Sequence, residues 1–153
     1  MQDNERNLNN GLTLVPLGKS TDGIENIEID SAKIHSAVSF LKENPTGLFD
    51  ILLSVTAVDY TEYFEVVYHL YSSKFSHGVI LKAKTSRENP EIDSISDIFT
   101  AADWHEREVF DLFGIKFNNH PNLTRILMPQ DWIGHPMRKD YVLNDERLAW
   151  NTR

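Results

Sequence analysis

Three runs of alternating apolar residues, 50–60, 63–71 and 77–85, follow one another with only two and five residues between them. That spacing leaves little choice of topology, because parallel neighbours need a crossover of a dozen residues or more, whereas antiparallel neighbours need only a turn. In "DILLSVTAVDY" the alternation places Ile51, Leu53, Val55 and Ala57 on one face. In "YFEVVYHLY" it places Phe64, Val66, Tyr68 and Leu70 on one face. In "HGVILKAKT" Val79, Leu81 and Ala83 face one way, and Lys82 and Lys84 the other. A period of two with one apolar face predicts an antiparallel sheet buried on one side.

The segments around this sheet supply its cover. "DSAKIHSAVSFLKENP" predicts a helix over 31–43, capped by Asp30 or Ser31 and stopped at Asn44–Pro45. Ile34, Ala37, Val38 and Leu41 follow the spacing of one buried stripe, and His35 lies off it in solvent. "IENIEI" (24–29) predicts an edge strand. Residues 1–23 are rich in Asn, Asp and Gly and predict a flexible tail, with a short strand conceivable at "LTLVPL". After "SRENP", "DSISDIF" predicts a short helix capped by Ser94. "AADWHEREVFDLFG" predicts a helix over 101–114, with Asp103 near its start and Gly114 just past its end. The fold class is α/β in the α+β sense: a mixed, largely antiparallel sheet with helices packed on it.

From Lys116 the chain reads as irregular, yet it is not composed like a disordered tail. It holds Phe117, Leu123, Ile126, Leu127, Met128, Trp132, Ile133, Met137, Tyr141 and Trp150, and disordered segments lack large apolar residues. Residues 103–141 carry six acids and five bases, against 17 acids and 10 bases elsewhere, so paired charges are expected here and solvated acid elsewhere. Three units follow: a flexible tail 1–23, an α/β core 24–114 and an extended partner-binding segment 115–153.

Composition excludes several functions. A net charge of −8 suits nucleic-acid backbone poorly, because that affinity comes from Lys and Arg. With no cysteine, the chain offers no thiolate for zinc or for an iron–sulfur cluster. The polar N-terminus carries no signal-peptide core, and no apolar run approaches the roughly 18 residues of a membrane span, so any membrane association is expected to come through partners. A P-loop, a G-x-G-x-x-G and a G-x-S-x-G elbow are all missing from the sequence.

The densest chemistry is "WHEREVFDLFG". Asp103, Arg107 and Asp111 are spaced by four, so Arg107 is placed to bridge two carboxylates on one helix face. Three readings stand open. The charges form a solvated salt-bridged face, or a polar lock between two surfaces, or, with Glu108, His120 and His135 converging, a zinc site. "HERE" is only half of H-E-x-x-H, since position 109 is Val, and a His before Pro more often shapes a turn. Arg138 and Lys139 suit ion pairs with carboxylates of this chain or a partner better than an anion site.

"WHEREVFDLFGIKFNNHPNLTRILMPQDWIGHPMRKDY" (104–141), with weaker similarity back to about residue 24, resembles the 30 kDa, C-type subunit family of respiratory NADH:quinone oxidoreductase, complex I. The residue before Arg125 departs from the common pattern, being Thr124 instead of a base or proline. The resemblance implies a non-catalytic subunit of the hydrophilic arm that supports the quinone module of a proton-translocating enzyme. It implies the large 49 kDa, D-type subunit and other peripheral-arm subunits as partners, and a peripheral position on the cytoplasmic side of the inner or plasma membrane. FMN and iron–sulfur clusters are then carried by partner subunits, with quinone as the substrate of the complex. The signature residues Glu106, Arg107, Glu108, Asp111, His120, Arg125, His135, Arg138, Lys139, Asp140 and Tyr141 are the implied partner interface. Related subunits occur in membrane-bound hydrogenases and other complex I-like dehydrogenases, which is the alternative reading.

Overall fold

The computed structural model describes residues 6–8 and 12–142. The expectation that Trp150 lies in an ordered tail falls outside them. Six strands form one sheet in the order β1-β2-β3-β6-β5-β4: β1 (Arg6–Leu8), β2 (Leu12–Lys19), β3 (Glu25–Asp30), β4 (Ile51–Tyr60), β5 (Tyr63–Ser72) and β6 (His77–Ser86). The three alternating runs pair as antiparallel neighbours, β4 with β5 and β5 with β6. Only the β3–β6 pairing is parallel in this sheet, so it is mixed and largely antiparallel.

Two strand expectations change. β3 is interior, because β2 pairs along it from Val15 to Lys19. Leu12–Lys19, expected within a flexible tail, is a full strand: Leu14 buries its side chain in the core and the strand's backbone groups find partners in β3. In β4 the register shifts between Leu52 and Ser54. A bulge moves the alternation by one residue. Leu52 therefore turns inward while Ile51 and Leu53 turn out, and Val55, Ala57 and Asp59 continue the inward phase.

Helix α1 (Ile34–Glu43) buries Ile34, Ala37, Val38 and Leu41 as expected, after a 3-10 turn over Ser31–Lys33 whose Ala32 N–H is capped by Asp30 at 3.1 Å. His35 is not merely solvated; it pairs with Asp97 at 2.9 Å. Residues 91–99 do not form a helix. Glu91–Asp93 is a short strand, β7, parallel to β8 (Lys116–Asn118), and turns follow it. Helix α2 (Ala102–Phe113) joins the same core as α1 through Ala102, Val109 and Phe113. Its start has no side-chain cap, and Asp103 lies in the first turn.

Candidate functional site

Two buried carboxylates five residues apart on α2 tie the helix to the segments on either side of it, residues 94–95 and 125–128. Both Glu106 and Asp111 are fully buried.

Glu106 points back toward β7. It accepts the Ile95 N–H at 2.8 Å and the Ser94 hydroxyl at 2.6 Å, so it ties the turns after β7 to the helix. Burial pushes its pKa up to about 7, against these two hydrogen bonds and helped by the charges of Asp103 and Asp97. The Tyr68 hydroxyl is buried and without a hydrogen-bond partner among the described residues, and burial, then the charges of Glu106 and Asp93, hold its pKa well above the ordinary value. His120, whose side chain is fully buried, lies 3.9 Å from Glu106. Its Nδ1 accepts the Asn122 N–H at 3.0 Å, which leaves Nε2 to carry the proton and donate to the Asp103 carbonyl at 3.2 Å.

Asp111 points the other way, into the tail. One oxygen accepts from three consecutive backbone N–H groups, Ile126 at 3.0 Å, Leu127 at 2.7 Å and Met128 at 2.9 Å. The other accepts from Arg125 at 2.8 Å. Burial alone raises the pKa of such a group; here the three N–H groups and Arg125 outweigh it and the net shift is downward.

The end of α2 explains the rest of the motif. The last four carbonyls of a helix have no partner inside it. The Phe110 carbonyl accepts from Gly114 at 2.8 Å. The Asp111 carbonyl accepts from His135 Nδ1 at 3.0 Å and Arg125 at 3.3 Å. The Leu112 carbonyl accepts from the Met137 N–H at 3.0 Å. The Phe113 carbonyl accepts from Arg138 Nε. Four carbonyls thus take donors from Gly114 and from the tail, and two of those donors are arginines at the negative end of the helix. Gly114 permits the arrangement: its φ is +72°, and a Cβ there would lie 2.5 Å from the His135 ring and 2.7 Å from Arg138. Burial lowers the pKa of His135, with Arg138 and Arg125 adding to the effect.

A second clamp fixes the end of the described tail to the sheet. Arg138 and Arg87 each lie 5.0 Å from the ring of Phe64, which is fully buried. Arg87 also donates to Asp59 and pairs with Asp140 at 2.9 Å. Asp59 accepts the Lys139 N–H at 2.7 Å. Burial raises its pKa, but Arg87 and the Lys139 N–H reverse the effect and the net shift is downward. The Tyr141 N–H donates to the Arg138 carbonyl, and its ring packs on Gly134, where a Cβ would come within 2.9 Å.

Several expected roles change. Arg107 does not bridge Asp103 and Asp111, because Asp111 is taken by the tail. It reaches the tail itself, donating to the Thr124 carbonyl at 3.1 Å and hydroxyl at 2.9 Å, and its guanidinium stacks 5.0 Å from the Trp104 ring. Thr124, the departure from the family pattern, is thus its acceptor. Glu108 is exposed and unpaired among the described residues. Glu108, His120 and His135 are not gathered into one ligand set: among the described residues no group of three or more His, Asp or Glu could hold a metal. The Lys139 side chain is exposed, and only its backbone joins the clamp. Sequence reasoning missed Asp59 and Arg87, and it gave neither Ser94 its bond to Glu106 nor Thr124 its bonds to Arg107. Asp59 left one signal, since an acid in the inward phase of an apolar strand needs a buried partner.

A family model described as "Respiratory-chain NADH dehydrogenase, 30 Kd subunit" matches residues 27–147. The C-type NADH-quinone oxidoreductase subunit of Roseiflexus castenholzii is 42% identical over 127 residues, covering 81% of this chain and 73% of that protein. The C-type subunit of Geobacter sulfurreducens is 44% identical over 121 residues, covering 76% and 74%. The C/D-type NADH-quinone oxidoreductase subunit of Buchnera aphidicola is 42% identical over 123 residues, which are 74% of this chain and only 21% of that protein. Among solved structures, a trypsin-resistant fragment of Nqo5 aligns with a TM-score of 0.62 at 24% identity over 74% of this chain and 91% of that one, a likeness of fold. A chain of the membrane-bound sulfane sulfur reductase, an archaeal respiratory membrane complex, aligns with a TM-score of 0.67 at 26% identity, covering 90% and 81%.

Proposed function

The chain belongs to the 30 kDa subunit family of respiratory-chain NADH dehydrogenase, and from that premise we propose that it is the C-type subunit of an NADH:quinone oxidoreductase, carrying no redox centre and supporting the quinone module. Its partner is the 49 kDa, D-type subunit. The relatives named C/D favour this, because the part matching this chain is about a fifth of a protein whose name carries both letters. FMN and iron–sulfur clusters belong to neighbouring subunits; for the clusters this is favoured by the lack of any cysteine in this chain to ligate one. Among the described residues no helix is long and apolar enough to cross a membrane. The protein sits at the cytoplasmic side of the membrane, held there by the complex.

The observation that carries this reading is the clamp itself. α2 commits its last carbonyls and a buried aspartate to ordering a tail that contains few regular elements and displays large apolar side chains. Such ordering makes sense for a surface that must be presented in one shape. A second reading, the equivalent subunit of another complex I-like respiratory assembly, is favoured by the likeness to the sulfane sulfur reductase chain.

Purification through a tag on this chain in mild detergent, followed by mass spectrometry, tests both. The first reading expects the D-type subunit together with flavin- and cluster-bearing NADH-oxidising subunits. A D-like protein without an NADH module favours the second. Recovery of the chain without any D-like protein contradicts both.

A further inference from the structure

Among the described residues, six large apolar side chains are more than half exposed: Leu53, Trp104, Leu127, Ile133, Met137 and Val142. Five of the six stand on α2 or on the clamped tail. Their exposure ranges from 56% at Met137 to 86% at Ile133. Those on the tail are exposed for the same reason that Asp111 is buried. Leu127 is held by its own N–H on Asp111, with its side chain turned out. The Met137 N–H caps the Leu112 carbonyl, and its side chain is likewise outside. Ile133 precedes Gly134, whose carbonyl accepts from Arg125 at 2.9 Å. The polar network is therefore an inward lock, and the same backbone leaves Leu127, Ile133 and Met137 facing out.

We infer that Trp104, Leu127, Ile133, Met137 and Val142 form the ridge that the D-type subunit covers, with Trp104 as its anchor. Glu106, Asp111, Arg125, His135 and Arg138 then act only by shaping it. This rests on the assignment of the chain to the quinone module and reassigns the signature residues within it. Trp104 is suited to the anchor role. It is 63% exposed in this chain, and its ring is braced by Arg107, which is itself tied to Thr124. A large aromatic held in place without a partner loses little entropy on docking, and Trp and Arg are enriched at the energetic centres of interfaces. Glu108, one turn along from Trp104 and unpaired among the described residues, supplies a charge at the rim. The occupant is the D-type subunit because the C/D relatives carry both names on one chain, and the part that matches this chain covers most of its length.

The test is capture of the D-type subunit, identified by mass spectrometry, from the native complex in mild detergent through tagged full-length chains. Trp104→Ala and Ile133→Asp are compared with wild type and with Leu53→Asp, which alters an exposed apolar residue of β4 outside the clamp. Each free chain is checked for an unchanged melting temperature. Trp104→Ala is expected to weaken capture about thirtyfold, the loss typical of an aromatic anchor. Ile133→Asp is expected to abolish capture and Leu53→Asp to leave it intact. Wild-type capture with Trp104→Ala and Ile133→Asp unimpaired overturns the ridge and leaves the complex assignment standing. Equal loss in Leu53→Asp also overturns the ridge. Failure of the wild-type chain to capture any D-type protein overturns both.

Discussion

Glu106 and Asp111 are both fully buried on one helix, yet their pKa values move in opposite directions. The difference lies in the donors. Glu106 receives one backbone N–H and one hydroxyl, and acidic neighbours add to the cost of its charge. Asp111 receives three N–H groups and a guanidinium. Both side chains are out of water, so the number and charge of donors decide. Glu106 staples two pieces of the core and tolerates a proton. Asp111 organises a tail and works as an anion.

The comparison breaks most sharply at Asp111. Removal of its carboxylate in Asp111→Ala leaves three N–H groups without their acceptor and Arg125 without its counter-charge, and is expected to cost about 3–5 kcal/mol in urea unfolding. A cost under about 1 kcal/mol would mean that the tail is not held there. Gly114→Ala attacks the same clamp from the backbone. It forces a side chain into a left-handed position against His135 and Arg138, for about 1–3 kcal/mol in the same assay.

Glu106 sharpens the contrast through pH. Its folded pKa is raised, so the folded state holds a proton that the unfolded state releases, and stability falls as pH rises from the unfolded value through about 7. The loss approaches about 1.4 kcal/mol per pH unit between the two pKa values. Asp111 and Asp59 behave oppositely: their stabilisation is present above the ordinary carboxylate range and is lost as pH falls below it. His135, with a lowered pKa, also loses stability as pH falls through the ordinary imidazole range, so a raw profile mixes opposing trends. The difference between wild type and Glu106→Gln isolates one group, because His135 titrates in both. The variant is expected to gain on wild type as pH rises from the ordinary carboxylate range through about 7, and a flat difference would place an ordinary carboxyl at Glu106. Arg107→Ala gives the smallest effect, under about 1 kcal/mol on unfolding, because its partners are an exposed threonine and an exposed ring. A loss of several kcal/mol there would restore the expected role as a buried bridge.

The sheet is readable from sequence wherever a two-residue period meets a short turn. The reading fails at Leu53, where a bulge no pattern announces reverses which residues face the core. The stripe on α1 and the glycine after α2 are legible because each rests on local geometry. The polar lock around "WHEREVFDLFG" is legible as a lock, but its partners are not. Arg107 and Asp111 share a spacing of four, which favours their pairing in an isolated helix. The tail offers Asp111 three N–H groups and an arginine, and tertiary donors outweigh one surface pair. Asp59 finding Arg87 and the Lys139 N–H joins positions 28 and 80 residues apart, which no local pattern encodes.

Hydrogen exchange of the isolated chain, with no partner present, tests most directly whether the tail is held by its own domain. The Ile126, Leu127 and Met128 amides are expected to be protected in the free wild-type protein. In Asp111→Ala they should lose far more protection than the amides of β5. Exchange of those three amides at the rate of an unstructured peptide in the free wild-type chain would contradict the account, and would mean that the tail takes its shape only from a partner.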